Sequence, residues 1–227
     1  LITGGFTMER HAAEAAANLI RDYMTIGLGS GKGVEYLIEF IAARNLEGLK
    51  IVTSSMATAL KAQKRDLEVV PTWMVDHTDF TFDSVDFADK DLNSAKTDAQ
   101  MIVENKLLAS MAKRFIVLVS KDSFNNVLTD GMPVQVEVVK PAFSYVTRRL
   151  AEMGAAVHTV NTAYGEPFVS ASGNYLLYAV FKTYNSIDDL NLAIRTIPGT
   201  VDTSLFTGLN TTAIVYDGYG VEIIEKH

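Results

Sequence analysis

The chain has 227 residues, a formal net charge of −7 and no cysteine, so disulfides and thiolate chemistry are excluded. An acidic chain with no run of Lys and Arg is a poor nucleic-acid binder, because binding phosphates needs clustered cations. The four histidines lack the spacing of metal ligands, so no transition-metal site is expected. No apolar stretch reaches the roughly 18 residues of a membrane span, and no leader pattern opens the chain, so a cytoplasmic location is expected.

Helices and strands alternate in the first third of the chain. Helical spacing of apolar residues covers 8–23, 34–44 and 56–64, and the apolar runs "TIGLG" and "KIVTSS" lie between these helices. This alternation predicts crossover connections and a parallel sheet. Ligands of such sheets collect at the carboxyl ends of the strands, where both runs end.

The turn "GLGSGKG" at 27–33 joins the first of these strands to a helix. Its glycines match neither the Walker loop nor the Gly-x-Gly-x-x-Gly dinucleotide fingerprint. Glycines still let backbone N–H groups converge at a helix N-terminus, which favours an anion. Ser30 and Lys32 would strengthen such a site. The alternative is a plain connection between strand and helix.

Six aspartates crowd the stretch between 76 and 91. Four of them are expected to form a solvated acidic loop, because Asp is a common turn former. Asp83 and Asp86 are different, since they follow the strand-like "FTF" directly. A helix is predicted over 99–113, and "RFIVLVS" is typical of a buried parallel strand.

The last third has the order strand, helix, strand, strand, helix, strand. These elements are predicted at 134–139, 141–153, 155–160, 174–181, 186–196 and 200–206. Their order is that of a split βαβ unit. The hairpin-like "TTAIVYDGYGVEII" could then return to the first sheet. The predicted fold is therefore α/β: a Rossmann-like parallel sheet flanked by helices (1–131 and 207–227) with an inserted, smaller, ferredoxin-like α+β lid domain (132–206).

Several stretches, taken as an ordered set, resemble the ribose-5-phosphate isomerase A family. They are "IGLGSGKGVEYLIEFI", "IVTSSMATALKA", "FDSVDFADKDLNSAK", "ENKLLASMAKRFIVLVS", "MPVQVEV", "AIRTIPGTVDTSLFTG" and "DGYGVEII". The resemblance implies a Rossmann-like sheet with a lid, and interconversion of ribose 5-phosphate and ribulose 5-phosphate in the pentose phosphate pathway. It implies no metal or organic cofactor, a small phosphorylated sugar as ligand, and a homo-oligomer, either a dimer or a tetramer.

The resemblance also assigns candidate site residues. "DSVD" keeps the family's two carboxylates at Asp83 and Asp86, and "KTDA" keeps its lysine at Lys96. The family's proton-abstracting Glu maps onto Asn105, an amide that cannot act as a base, and the adjacent Glu104 is the rescue candidate. The expected substrate- and phosphate-binding residues are Gly29, Ser30, Gly31, Lys32, Gly33, Ser54, Ser55, Thr97 and Asp98.

Departures from the family pattern leave three functions open. The phosphate loop carries Lys32 where the family has a hydroxyl, and a family lysine falls at Glu9, whose carboxylate would repel a phosphosugar unless it binds a hydroxyl or a cation. The first function is an active isomerase with Glu104 or an aspartate as the base. The second is a catalytically impaired paralogue that binds a phosphosugar as a sensor or with altered specificity. The third is a structural subunit with a vestigial cleft.

Overall fold

A computed structural model describes residues 5–97, 100–125, 131–209 and 211–225. The helices are α1 (Gly5–Ala17), α2 (Lys32–Ala43), α3 (Met56–Gln63), α4 (Ile102–Ser110), α5 (Phe143–Glu152) and α6 (Ile187–Arg195). The strands are β1 (Thr25–Leu28), β2 (Lys50–Thr53), β3 (Thr78–Ser84), β4 (Phe87–Asp89), β5 (Ser94–Ala95), β6 (Ala112–Ser120), β7 (Phe124–Asn125), β8 (Pro133–Val138), β9 (Ala155–Thr159), β10 (Tyr175–Phe181), β11 (Thr200–Thr203), β12 (Leu205–Phe206), β13 (Thr211–Tyr216) and β14 (Val221–Glu225). None of the described helices has the length and apolar character to cross a membrane.

The main sheet has six strands in the order β14-β13-β6-β3-β1-β2. Its first five strands in chain order are parallel, and β14 pairs antiparallel with β13 as the returning hairpin predicted from the sequence. The carboxyl ends of β1, β2 and β3 therefore lie side by side. This arrangement confirms the predicted parallel sheet and brings the glycine turn next to Asp83.

Apolar side chains pack on both faces of this sheet. The larger core joins α1 and α2 to the strands through buried residues that include Ile20, Leu37 and Phe82. A second core around Phe115 and Phe206 covers the other face. Covering both faces explains why "RFIVLVS" is almost continuously apolar, as buried parallel strands are.

The second sheet has four antiparallel strands in the order β11-β8-β10-β9. With α5 and α6 on one face, this is the ferredoxin-like order predicted for the lid. Val134, Val136 and Val138 point into its helix-packed core, whereas Gln135 and Glu137 alternate onto the opposite face. The limits of the two domains stay a prediction.

A third, small sheet, β12-β5-β4-β7, was not predicted. The predicted strand 200–206 is wrong as one element, because the chain leaves β11 at Ser204 and enters this small sheet as β12. Helix α1 also ends at Ala17 rather than at the predicted residue 23. Tyr23 has a φ of 63°, which lies outside the right-handed helical region and rules out a helix at that residue. Helix α4 spans 102–110, shorter than the predicted 99–113.

Candidate active site at the carboxyl edge of the parallel sheet

The glycine turn lies directly against the end of β3. A Cβ added at Gly29 would come within 2.3 Å of the Asp83 carboxyl carbon, and one at Gly31 within 2.6 Å of the Ser84 Cβ. Gly31 also has a φ of 108°, a conformation that favours glycine. The glycine spacing is therefore required by the close approach of this turn to Asp83 and Ser84, whatever the turn binds.

Three of the predicted site residues form one hydrogen-bonded group, named here the Asp83 cluster: Ser30, Asp83 and Lys96. The Lys96 Nζ donates to Asp83 Oδ1 at 2.7 Å and to Ser30 Oγ at 3.0 Å. The backbone N–H of Ser30 donates to the same Asp83 oxygen at 2.9 Å. Asp83 and Lys96 are buried, at 2% and 8% exposure, so this ion pair is shielded from solvent.

The small third sheet positions Lys96 and Asp86. Lys96 follows β5, and its backbone N–H donates to Ser204 O at 3.2 Å. Asp86 is exposed, and its backbone N–H donates to Ala95 O at 3.0 Å. The Thr97 backbone N–H and hydroxyl both donate to Asp86 Oδ2, at 2.6 and 3.0 Å. Thr97, the residue after Lys96, thus fixes the Asp86 carboxylate, whereas Asp98 lies outside the described residues.

The serines after β2 have different environments. Ser55 caps α3, since its Oγ accepts from the Thr58 N–H at 3.0 Å. Thr58 then donates to Gly29 O at 2.9 Å and ties α3 to the glycine turn, a contact that the sequence analysis missed although Ser-x-x-Thr is a capping spacing. The Oγ atoms of Ser54 and Ser84 are buried and have no hydrogen-bond partner among the described residues. Ser84, also missed, lies between the two predicted aspartates.

The first turns of α4 carry Glu104 and Asn105, named here the α4 pair. Asn105 is 3% exposed, and its buried Oδ1 has no partner in the described part of the chain. Glu104 Oε1 accepts from the Ser172 hydroxyl at 2.6 Å, and its Oε2 is buried without a described partner. The structure therefore brings Glu104 to the turn before β10, and the sequence analysis missed Ser172 because 68 residues separate the two.

The same turn is tied to a second buried carboxylate. Glu137 Oε1 accepts from the Ser170 hydroxyl at 2.6 Å and from the Asn174 amide at 3.0 Å. Glu137 is fully buried on β8. The lid sheet thus holds the turn that contacts Glu104.

Lys106, one residue beyond the α4 pair, is a second buried lysine. Its Nζ donates to Leu205 O, lies 4.5 Å from the Phe206 ring centroid, and is 3.8 Å from Asp202 Oδ1. Burial lowers the pKa of Lys106 to about 8, against a smaller raising effect of Asp202. Its ion pair is longer than that of Lys96, so burial is less well compensated.

Among the described residues, no three His, Asp or Glu side chains come together as a metal site would require. The groups available for chemistry at the sheet edge are a buried lysine–aspartate pair, a second carboxylate, serine hydroxyls and the open N-terminus of α2. The fold and this set define an α/β protein with an acid–lysine cluster beside an anion-compatible helix N-terminus.

Comparison with known proteins identifies the family. The family model of ribose 5-phosphate isomerase A (phosphoriboisomerase A) matches residues 50–220. The chain is 31% identical to ribose-5-phosphate isomerase A 1 of Oceanobacillus iheyensis, over 92% of this chain and 93% of that protein. It is 33% identical to ribose-5-phosphate isomerase A of Sphingopyxis alaskensis, over 93% of each chain. The chain therefore belongs to the ribose 5-phosphate isomerase A family.

Solved structures of proteins with this family's name have the same fold as this chain. A D-ribose-5-phosphate isomerase in complex with phospho-erythronic acid superposes with a TM-score of 0.90 at 26% identity, covering 96% of this chain and 97% of that one. Ribose 5-phosphate isomerase A from Methanocaldococcus jannaschii has a TM-score of 0.88 at 24% identity, covering 96% and 98%, which supports the fold.

Proposed function

We propose that the protein is an aldose–ketose isomerase that interconverts ribose 5-phosphate and ribulose 5-phosphate through an enediolate. The observation that carries the proposal is the Asp83 cluster, which lies at the carboxyl edge of the sheet in a chain of this family. Moving a carbonyl between C1 and C2 needs a base at carbon, proton transfer between the oxygens, and a positive group near the enediolate. Lys96 supplies the positive group, and the Asp83 and Asp86 carboxylates are placed to move protons between oxygens.

The base at carbon is assigned to Glu104. Asp83 is held in a buried ion pair with Lys96, and Asp86 is held by Thr97, so both carboxylates are assigned the proton transfers between the oxygens. Glu104 keeps one carboxylate oxygen, Oε2, without a described partner. Its Oε2 is assigned to proton abstraction, and the Ser172 hydroxyl orients the other oxygen.

The second candidate function is a paralogue that binds a phosphosugar without isomerising it. The observation that favours it is Asn105, which occupies the position expected of the base and is buried with an unpartnered Oδ1. Homo-oligomerisation, a small phosphorylated sugar as ligand and a cytoplasmic location belong to both candidates as proposals.

A coupled assay with ribose 5-phosphate, run on the unmodified chain, Glu104→Gln and Asn105→Glu, separates the two. We expect turnover by the unmodified chain and a loss of about 10²–10⁴-fold in kcat in Glu104→Gln, the range for removing a general base. Gln keeps an oxygen that can accept from Ser172, so folding is not the variable.

The paralogue is supported instead if the unmodified chain is silent, is stabilised thermally by ribose 5-phosphate, and gains turnover in Asn105→Glu. Absence of both turnover and stabilisation in all three proteins would contradict both candidates.

A further inference from the structure

A network of four charged side chains surrounds the N-terminus of α2, at the end of the site expected to take the phosphate. Glu35 Oε2 is 3.2 Å from Lys32 Nζ, and Glu35 Oε1 is 2.5 Å from Lys61 Nζ on α3. Glu9 on α1 interacts electrostatically with Lys32 and with Glu35. Two carboxylates and two ammonium groups sum to zero, so this network adds no net positive charge at the helix end.

The helix end itself is open. Gly31 occupies the N-cap position of α2. Because it has no side chain, it cannot accept a hydrogen bond from the first-turn amides as a capping residue would. The Ser84 Oγ is buried without a described partner and would lie 2.9 Å from a Cβ placed on Gly33. Unsatisfied amides with the positive end of the helix dipole favour an anion here. Lys32, the first residue of α2, carries a side-chain cation at this end that a phosphate dianion could use.

Lys32 is already engaged. Its hydrogen bond and attraction to Glu35 raise the pKa of its ammonium, and the contact with Lys61, ahead of that with Lys32, lowers the pKa of the Glu35 carboxyl. Glu35 is thus an anion of the protein itself, one turn into the helix. It is paired with Lys32, the lysine that a bound phosphate would contact. A bound dianion has to share Lys32 with Glu35 and is repelled by it.

We propose that Glu35 determines the affinity of the site for phosphate, by competing with the bound phosphate for Lys32. This inference rests on the proposed function, since it concerns the phosphate end of the same site. Glu35 acts on binding alone, because its ion pairs are with Lys32 and Lys61 rather than with the Asp83 cluster to which the carbonyl chemistry is assigned. It therefore sets KM and leaves kcat unchanged.

The chain offers a matched control on the same helix. Glu39, one turn further along α2, also holds two cations, with Oε2 3.5 Å from Arg10 and Oε1 3.3 Å from Arg65. Its side chain is 40% exposed, against 37% for Glu35. Glu35→Gln and Glu39→Gln therefore remove the same charge from equivalent ion-pair networks that differ in distance from the helix end.

The experiment measures dissociation constants of inorganic phosphate and of ribose 5-phosphate by calorimetry for the unmodified chain, Glu35→Gln and Glu39→Gln. We expect both ligands to bind about 3- to 10-fold more tightly to Glu35→Gln, the effect of removing one solvent-screened like charge, and unchanged binding to Glu39→Gln. The gain should shrink between 50 and 500 mM salt, because salt screens exposed charges. In Lys32→Gln, adding Glu35→Gln should produce a smaller gain, which a double-mutant cycle detects.

Equal effects of the two Gln variants, no effect of Glu35→Gln, or no binding of inorganic phosphate to any variant would each overturn the inference. Calorimetry needs no turnover, so the result is independent of catalysis. Tighter phosphate binding by Glu35→Gln in a chain that is silent in the coupled assay would uphold this inference while contradicting the proposed isomerase activity. Where turnover is measurable, KM should fall in Glu35→Gln with kcat unchanged.

Discussion

The Asp83 cluster and the α4 pair, both of which the sequence analysis predicted to belong to the site, differ in how their polar atoms are satisfied. In the cluster, Ser30, Asp83 and Lys96 are hydrogen bonded to one another at 2.7–3.0 Å. In the α4 pair, Asn105 Oδ1 and Glu104 Oε2 are both buried without a described partner. Buried polar groups are normally paired, so orphaned ones mark either a ligand's place or a defect. The cluster is preorganised by its own hydrogen bonds, whereas the α4 pair is not.

Two buried lysines show the same contrast. Lys96 Nζ is 2.7 Å from Asp83 Oδ1, whereas Lys106 Nζ on α4 is 3.8 Å from Asp202 Oδ1. A short buried pair offsets desolvation better than a long one. The polar side chains of the Asp83 cluster are therefore held in place more firmly than those of α4. Four predictions test this comparison.

The largest expected effect is that of Asp83→Asn. Removing the charge leaves Lys96 buried and uncompensated, which costs about 3–5 kcal/mol of unfolding free energy, and turnover should fall by at least about 10²-fold. Asp79→Asn is the control, because Asp79 on the same strand also accepts from a backbone N–H, that of Thr25, and from a lysine, Lys113. Its side chain is 27% exposed, against 3% for Asp83, so its loss should cost under about 1 kcal/mol. Equal losses of unfolding free energy in the two variants, measured by urea denaturation, would contradict the difference between a buried and an exposed ion pair.

The second prediction concerns Lys106, whose pKa falls from 10.5 to about 8 on folding. Between these values the unfolded chain binds more protons than the folded one, so the contribution of Lys106 to stability rises with pH. The free energy of unfolding of the unmodified chain, relative to Lys106→Met, should increase by about 3 kcal/mol in total from pH 7 to pH 11, or about 1.4 kcal/mol per pH unit within the window. A difference in unfolding free energy that stays constant across this range would show that folding does not lower the pKa of Lys106.

Gly29→Ala should have a smaller effect. Its Cβ would lie 2.3 Å from the Asp83 carboxyl carbon, and this overpacking should cost about 1–3 kcal/mol and displace the Asp83 cluster. At Gly220, a Cβ would meet nothing within 4 Å, so Gly220→Ala serves as the control. Thermal melts of both variants check the difference, and an unchanged melting temperature in Gly29→Ala would mean that the turn is not held tightly against Asp83.

Ser172→Ala should have the smallest effect on stability. It removes the 2.6 Å hydrogen bond to Glu104 Oε1, a loss of about 0.5–1.5 kcal/mol. If Ser172 orients the base, kcat should fall more than KM changes, and Ser172→Thr, which keeps the hydroxyl, should restore it. A loss of stability with kcat intact would reduce the contact to a structural one.

Much of the fold was predictable because it rests on local patterns. Helical spacing predicted α2, α3, α5 and α6 to within a few residues, and apolar runs predicted β1, β2 and β6. The small third sheet was not predictable, since strands of two residues, such as β5 and β12, are too short to show any periodicity. That sheet nevertheless places Lys96, so a local pattern alone could not have located this side chain in space.

The candidate site divides in the same way. Residues on or beside β1 and β3 could be placed from the sequence, because parallel strands end at one edge of the sheet. The partner of Glu104 could not, because Ser172 is 68 residues away and belongs to a turn held by the lid sheet. The pairing of Lys32 and Lys61 with Glu35 likewise depends on how α2 and α3 pack.

The sequence by itself determined the alternation of strands and helices and the ferredoxin-like order of the lid, because each depends on residue type and spacing along the chain. Only the tertiary structure decided which polar atoms are satisfied. Hydrogen bonds and ion pairs between distant segments act over about 3–4 Å, and that proximity is set by packing rather than by sequence separation.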